Sequence, residues 1–344
     1  MAKKLNWGII GAGKIAHRFA EGLADAQHGR LMAIGSRSQE KADAFAAKYA
    51  ARPKAYGSYE ALLADPEIEA VYIATPHRHH TPWVIRAAQA GKHILCEKPF
   101  AINHAEAVAA LEVVKKHNVF LMEAFMYRCH PQTLSLVEML QHHVIGDIRM
   151  IRASFGYNQP FDPADPLYEQ VYVHDSAGGA ILDVGCYPIS MARLIAGVAR
   201  GKPFENPVEL KGVGVLGPTK VDHYAIASAK FPGDIVAELS TAVSIQLENH
   251  VRIVGTKGIV LIPTPWLPAP KGGFSKIIIF KNGIPEEVVV DVQKNLYSYE
   301  ADHVAEQIEQ GRTQSPIVSW DDTLGNIAAL DQWRASIGLR YDWE

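Results

Sequence analysis

Cysteine is scarce: the chain has three among 344 residues. Cys96, Cys129 and Cys186 stand far apart and form no C-x-x-C pair, so they assemble neither a disulfide framework nor a structural zinc site. No uninterrupted run approaches the roughly 18 apolar residues of a transmembrane helix. Neither sign of charge prevails. The 34 basic and 37 acidic residues leave a formal net charge of −3, without the basic face that nucleic acid or an anionic membrane surface demands. Met1–Leu5 carries two lysines but no hydrophobic leader behind them, and a cytoplasmic protein is the expectation. What remains is an ordinary globular composition, 48% hydrophobic and 21% charged. Its length suits about two domains of roughly 100–200 residues.

The first third alternates short apolar runs with longer helical stretches. Strands are expected at Asn6–Gly11, Leu31–Gly35, near Ala55, and at Ala70–Thr75, His93–Glu97 and Val119–Glu123. Between them Lys14–Ala26, Glu40–Ala50, Ser58–Ala64, Pro82–Ala90 and Asn103–Asn118 read as helices, the last with an Asn103/Glu106 capping box. Apolar strands separated by helices predict a doubly wound parallel sheet, an α/β Rossmann domain over residues 1–125.

After Phe125 the pattern changes. A helix at Pro131–His142 precedes a strand at Ile148–Tyr157, a Pro-rich loop over Asn158–Asp175 and a helix from Ala180 to Ile195. Strand-like segments then follow one another: Tyr224–Phe231, Ile235–Ser244, Val251–Val254, Ile259–Ile262, Lys276–Phe280 and Glu287–Val292. Turns such as Pro232-Gly233 and Asn282-Gly283 between them indicate antiparallel hairpins. Helices at Ser298–Gln310 and Asp322–Ile337 end the chain. Residues 126–344 therefore read as an α+β domain with a large, mostly antiparallel sheet.

Gly11-Ala12-Gly13-Lys14-Ile15-Ala16 fits G-x-G-x-x-A between the first strand and the first helix. Gly11 allows the tight turn, Gly13 lets backbone approach a pyrophosphate, and Ala16 permits close helix–sheet packing. The helix N-terminus offers N–H groups and a positive dipole end to the anion. At the end of the second strand, an NAD-type site wants an acid for the ribose hydroxyls. This chain has Gly35-Ser36-Arg37-Ser38, with Lys41 a helical turn on. Ser36, Arg37 and Lys41 suit a 2′-phosphate, which favours NADP(H) over NAD(H).

Two further segments sit where open α/β sheets bind ligands, Ala74-Thr75-Pro76-His77-Arg78-His79-His80 and Glu97-Lys98-Pro99. The histidines lack matching carboxylate or cysteine partners, so no metal is expected, and His77–His80 read as a loop beside the cofactor. Lys98 ends a buried strand, where an ammonium needs a task or a partner. Within Gly178–Pro188, Asp183 and Tyr187 lie four apart on one helix face, a carboxylate and a phenol suited to binding and deprotonating a hydroxyl. Gly185 between them argues for close approach of something to the backbone.

Together, Gly11–Ala16, Glu97-Lys98-Pro99 and the Gly-Gly-Ala-Ile-Leu-Asp-Val-Gly-Cys-Tyr run resemble the glucose–fructose oxidoreductase/inositol dehydrogenase/rhizopine-catabolism superfamily. The likeness extends to Met122–Pro131, which contains Arg128, and to Tyr299-Glu300 near the C-terminus. Tyr187 four residues after Asp183 is similar to the subgroup of dimeric dihydrodiol dehydrogenases and NADP-dependent xylose dehydrogenases. Inositol dehydrogenases have His at that position.

The resemblance implies an open second sheet that forms homodimers or tetramers. It implies that Lys98 and Tyr187 are catalytic and that Asp183 contacts substrate. It places Thr75, Pro76, His77, His80, Glu97, Lys98 and Arg128 by the cofactor and Arg37 with Lys41 at the 2′-phosphate. The expected reaction moves a hydride between NADP(H) and a hydroxyl-bearing carbon of a sugar or cyclic diol, with Tyr187 as general acid/base. A free phenol has a pKa near 10, and Lys98 is expected to lower it. The superfamily leaves two other activities open, redox-neutral NAD-dependent glycoside cleavage and non-catalytic dinucleotide-binding regulation. Residues 158–175 and 263–273, with Trp266, are read as shaping the pocket.

Overall fold

The computed structural model describes residues 4–342 and 344. Residues 1–3, part of the stretch read as lacking a leader, lie outside the described residues. The first sheet is parallel, with strands β1 Leu5–Ile10, β2 Gly29–Gly35, β3 Lys54–Tyr56, β4 Ala70–Ile73, β5 His93–Glu97 and β6 Leu121–Ala124 in the order β3-β2-β1-β4-β5-β6. Helices α1 Lys14–Asp25, α2 Gln39–Ala46, α3 Tyr59–Ala64, α4 His80–Gln89 and α5 His104–His117 alternate with them. Trp7, Ile9 and Ile10 of β1 and every residue of β4 are buried, so the central strands bury both faces. The order reverses between β1 and β4, and this opens a crevice at the strands' carboxyl ends.

Side-chain caps fix the starts of α2, α3 and α5, whereas α1 and α4 have none. Ser38, Ser58 and Asn103 accept from the N–H groups of Lys41, Ala61 and Glu106. Glu106 does not complete the expected capping box; its carboxylate accepts from Thr81 Oγ1 at 3.0 Å. Helix α1 starts at Gly13 with no side-chain cap, so its N–H groups stay free.

Helix α6 Pro131–Gln141 leads to β7 Ile148–Gly156, the centre of an eight-stranded second sheet. The region expected to be a loop folds a short helix, α7 Tyr168–Tyr172. The continuous helix expected from 180 is instead a π-helical turn, Ile181–Gly185, followed by α8 Cys186–Val198. The backbone approach anticipated at Gly185 comes from Thr241, whose Oγ1 donates to Ala180 O at 3.0 Å and whose methyl carbon would lie 3.3 Å from a Cβ at Gly185. The span 174–198 is the one helical stretch among the described residues apolar and long enough to cross a membrane, yet its apolar window is 100% buried.

The remaining strands are β8 Glu209–Leu216, β9 Asp222–Phe231, β10 Ile235–Ala242, β11 Val251–Gly255, β12 Gly258–Ile262, β13 Gly273–Lys281 and β14 Ile284–Val292. Their order is β14-β13-β12-β11-β7-β10-β9-β8, and every pair is antiparallel except β7–β10. Strand β8 has two glycines and little alternation, and it was not anticipated. Helix α8 packs on β7 and β10. The other face of the sheet stays bare, with Val213, Ile226 and Val236 exposed.

Helices α9 Leu296–Glu309 and α10 Trp320–Ser336 close the chain. Although they follow the second sheet, α9 returns to pack on α1, where a Cβ at Gly22 would stand 2.6 Å from Tyr297 Cβ. His28 N–H donates to Asp302 at 2.8 Å across the same seam.

Candidate functional site

The glycine turn has the geometry its residues foretold. Gly11 sits at φ +104°, and a Cβ there would lie 2.7 Å from Ala74 O, so only glycine fits. A Cβ at Gly13 would point into open space, which leaves bare backbone before the uncapped start of α1. These residues floor a cleft of about 840 Å³ that runs over the carboxyl edge of the first sheet and beneath the second domain. Its walls include Ala12, Lys14, Ile15, Ser36, Arg37 and Lys41. The bare glycines, the free N–H groups and the cations fit the pyrophosphate and ribose-phosphate of a dinucleotide. No carboxylate comes between the end of β2 and Glu40, and Glu40 does not line the cleft.

Arg37 also faces a neighbouring pocket of about 450 Å³, lined by Tyr59, Thr75, Pro76, His79 and Trp83. Tyr59 meets Trp83 edge-on at 4.7 Å.

Further along the cleft stand Thr75, Pro76, His77, His80, Glu97, Lys98 and Tyr187. His80 is buried and bridges two loops, with Nδ1 2.8 Å from Pro99 O and Nε2 2.8 Å from Thr75 O. Burial holds its pKa down to about 3, so the ring is neutral; one N–H then serves one carbonyl at a time. His80 therefore positions the loops that carry Thr75 and Lys98. His77 is likewise buried and neutral, its pKa lowered to about 4 by burial.

Lys98 lies at the end of β5, where its peptide bond to Pro99 is cis. Its ammonium donates to Asp183 O at 2.8 Å and stands 3.5 Å from Asp183 Oδ1. Burial alone would lower its pKa, but Asp183, Cys186 and Glu97 outweigh that and raise it. Asp183 has the converse balance. Burial pushes its carboxyl up, Lys98, His77 and the Tyr157 hydrogen bond pull it down further, and it remains ionised. Beside this pair Glu97 is buried and accepts from Tyr72 OH and, at 3.2 Å, from Lys98 N–H. Burial raises its pKa.

Tyr187 is ringed by aromatics: Phe125, Tyr127, Phe155 and Trp266 lie within 5.1–5.8 Å of its ring centroid. Burial first, then the charge of Glu97, raises its pKa well above 10. Burial and Glu97 thus outweigh any lowering by Lys98, and the net shift is upward. The ammonium sits over the face of the ring, 5.3 Å from its centroid, and is engaged by Asp183. The phenol is a neutral donor whose hydroxyl meets Met126 Sδ at 3.6 Å.

Three other expectations need revision. Asp183 is not a cleft wall; it is 6% exposed and its oxygens are occupied by Lys98, His77 and Tyr157. Arg128 is not beside the cofactor cleft. Its guanidinium is buried at the domain junction, donating to Asp322 at 3.0 Å, Ile317 O at 2.7 Å and Ser190 at 3.2 Å, with Arg193 on the other side of Asp322. Trp266 is 2% exposed and stacks behind Phe155 with its Nε1 donating to Ser154 O. From the same segment, Leu267, Pro270 and Lys271 reach the cleft instead.

Sequence reasoning did not single out Phe155, Tyr157, Tyr297 or Asn295. The first two follow from β7, whose alternation aims Phe155 into the cleft. Asn295 and Tyr297 arrive only because α9 folds back. Among the described residues no cluster of three metal-ligating side chains occurs.

Comparison with known proteins agrees with this fold. Residues 5–125 match the model of an oxidoreductase family with an NAD-binding Rossmann fold, and residues 133–261 match the GFO/IDH/MocA C-terminal domain. The chain is 33% identical over 348 residues to the trans-1,2-dihydrobenzene-1,2-diol dehydrogenase of Mus musculus, with 98% of each chain covered. Against that of Xenopus tropicalis it is 35% identical over 351 residues, covering 97% of this chain and 98% of the relative. Among solved structures, KijD10, a 3-ketoreductase from Actinomadura kijaniata in complex with NADP and TDP-benzene, superposes with a TM-score of 0.86 at 26% identity over 97% and 98% of the two chains. An aldose-aldose oxidoreductase from Caulobacter crescentus gives 0.82 at 26% identity, with 97% of each chain covered.

Proposed function

The chain belongs to the GFO/IDH/MocA oxidoreductase family, and on that footing we propose that it interconverts a hydroxyl and a carbonyl on a sugar or cyclic diol, using NADP(H) in preference to NAD(H). One observation carries this reading: a buried neutral phenol, Tyr187, stands beside a charged lysine in a cleft floored by an uncapped helix N-terminus. The relatives named for a dihydrodiol, a ketosugar reductase and an aldose support the substrate class.

Gly11–Ile15 hold the pyrophosphate, and Ser36, Arg37 and Lys41 hold the 2′-phosphate. A bound NADP(H) supplies the hydride acceptor or donor. Tyr187, neutral, gives its hydroxyl proton to the carbonyl oxygen during reduction and takes it back during oxidation. Lys98 stays charged and stabilises negative charge developing on that oxygen. Asp183 fixes the ammonium from behind. Phe155 offers a flat apolar wall to the ring of the substrate. The exposed face of the second sheet serves a homo-oligomer.

The test is a spectrophotometric screen of trans-1,2-dihydrobenzene-1,2-diol, aldoses and polyols with NADP+ and NAD+ in parallel. Reduced cofactor should accumulate with NADP+ and at least one of these. Turnover with no net reduction would favour glycoside cleavage, and a large preference for NAD+ would overturn the Arg37 assignment.

A further inference from the structure

Beyond the pair of residues that meet the substrate, Lys98 has to be held both charged and aimed. Its ammonium has two fixed contacts, both to Asp183: the main-chain oxygen at 2.8 Å and Oδ1 at 3.5 Å. The first is set by the π-helical turn. The second depends on a carboxylate free to rotate about its own side-chain bonds unless its other oxygen is tied.

That tie comes from outside the helix and outside the first domain. Tyr157, the residue just after β7, donates its hydroxyl to Asp183 Oδ2 at 2.5 Å. Its main chain is anchored too, since Tyr157 N–H donates to Ala242 O at 3.1 Å in the strand that runs parallel to β7. The tyrosine is thus a rigid arm from the centre of the second sheet to the lysine of the first. We propose that Tyr157 is a positioning residue for the reaction, locking the Asp183 carboxylate so that Lys98 is presented to the substrate oxygen in one orientation.

This inference rests on the function proposed above only where it speaks of substrate; the locking of Lys98 stands without it. A charge-assisted hydrogen bond to a carboxylate also favours its ionised form. The groups facing Asp183 are Lys98 and Glu97 from the end of β5, His77 from the loop after β4, Tyr157 from β7, and Cys186 and Tyr187 from its own helix. Of these only Lys98, His77 and Tyr157 hold the carboxyl down, and only Tyr157 can be altered without touching the cleft's chemistry or the loop at its mouth.

The experiment compares Tyr157→Phe with Tyr172→Phe in the full chain. Tyr172 is a matched control: it is also buried, but its hydroxyl donates to the main-chain oxygens of Gln159 and Val243. Lys98 acylation by acetic anhydride at mildly alkaline pH, read by peptide mass spectrometry, reports the amine directly and needs no turnover. Tyr157→Phe should label Lys98 about tenfold faster than wild type, and Tyr172→Phe at the wild-type rate. In an Asp183→Asn background the Tyr157→Phe effect should vanish, because the locked partner is gone.

Where a substrate from the screen is turned over, kcat should fall about tenfold in Tyr157→Phe with the KM for NADP+ unchanged. The low-pH limb of kcat should move up by about one unit, since a carboxyl that loses a donor protonates earlier on acidification. Equal labelling of Lys98 in wild type and Tyr157→Phe, or equal acceleration in both Phe variants, overturns the proposal. If none of the alcohols reacts but the labelling contrast appears, the positioning role stands and the proposed reaction falls.

Discussion

Lys98 and Asp183 meet twice, through a carboxylate oxygen 3.5 Å from the ammonium and through the aspartate's own carbonyl at 2.8 Å. One residue thus satisfies the lysine with side chain and backbone together. The lysine comes from the first sheet and the aspartate from a turn of the second domain, so this contact also closes the seam between them.

Under the proposed reaction, removal of either Tyr187 or Lys98 should leave cofactor binding standing. Tyr187→Phe loses the proton that the carbonyl oxygen needs, and kcat should fall by about 10²–10⁴-fold. Lys98→Met should fall comparably. NADPH affinity, followed by quenching of tryptophan fluorescence, should hold in both. Turnover near wild type in a folded variant would remove these residues from the mechanism.

Arg37 tests cofactor choice. Arg37→Ala removes the guanidinium that faces both the cleft and the side pocket. The Kd for NADP+ should rise by about 10–100-fold, the loss expected for a charge-assisted contact to phosphate, with NAD+ scarcely affected. Equal losses for the two cofactors in a calorimetric titration would show that Arg37 does not read the 2′-phosphate.

Gly11→Ala should be costly twice over. At φ +104° the alanine is strained, and its Cβ meets Ala74 O at 2.7 Å. A destabilisation of about 1–3 kcal/mol is expected in a urea melt, together with weaker dinucleotide binding. Unchanged values in both assays would contradict this geometry.

Asp222 gives a stability prediction with a definite sign. Its Oδ2 accepts Ile181 N–H at 2.7 Å, at the start of the turn that carries Asp183, and burial raises its pKa from 3.8 to about 7. The unfolded chain loses this proton first, so the group's contribution to stability is full below about pH 4 and declines as pH rises to about 7. Asp222→Asn should flatten that part of the profile. Its urea midpoint should fall less than wild type's between about pH 4.5 and pH 7.5, and parallel profiles would count against the assignment.

The first sheet was legible because its strands bury both faces and its helices carry their own punctuation. His93–Glu97 could be read to the residue, and Asn103 marked the start of α5 as its side chain allows. The mostly antiparallel second sheet was legible from its turn dipeptides, except at β8, where Gly212 and Gly214 erase the alternation. In the cleft, the glycines and cations proposed to meet the dinucleotide come from contiguous motifs.

What could not be read is what the chain assembles from afar. Tyr157 touches Asp183 across 26 positions of sequence, and Tyr297 reaches the cleft on a helix that local pattern assigns to the other domain. Arg128 was misplaced for a related reason. An arginine beside an aromatic motif gives no hint that its partner is Asp322, 194 residues later. The π-helical turn likewise depends on Thr241, a side chain from β10.

The fold-back of α9 sets an order on how the molecule comes into being. Helix α1 leaves the ribosome among the first residues, but the surface around Gly22 stays uncovered until Tyr297 arrives nearly 280 residues later. Ser298 and Asp302 close over the same stretch of α1 and its exit turn. Helix α1 therefore spends most of synthesis with an apolar flank open to water. A nascent chain stalled before residue 295 lacks the wall formed by Asn295 and Tyr297, and the proposed competence to hold a dinucleotide is among the last properties the growing polypeptide acquires.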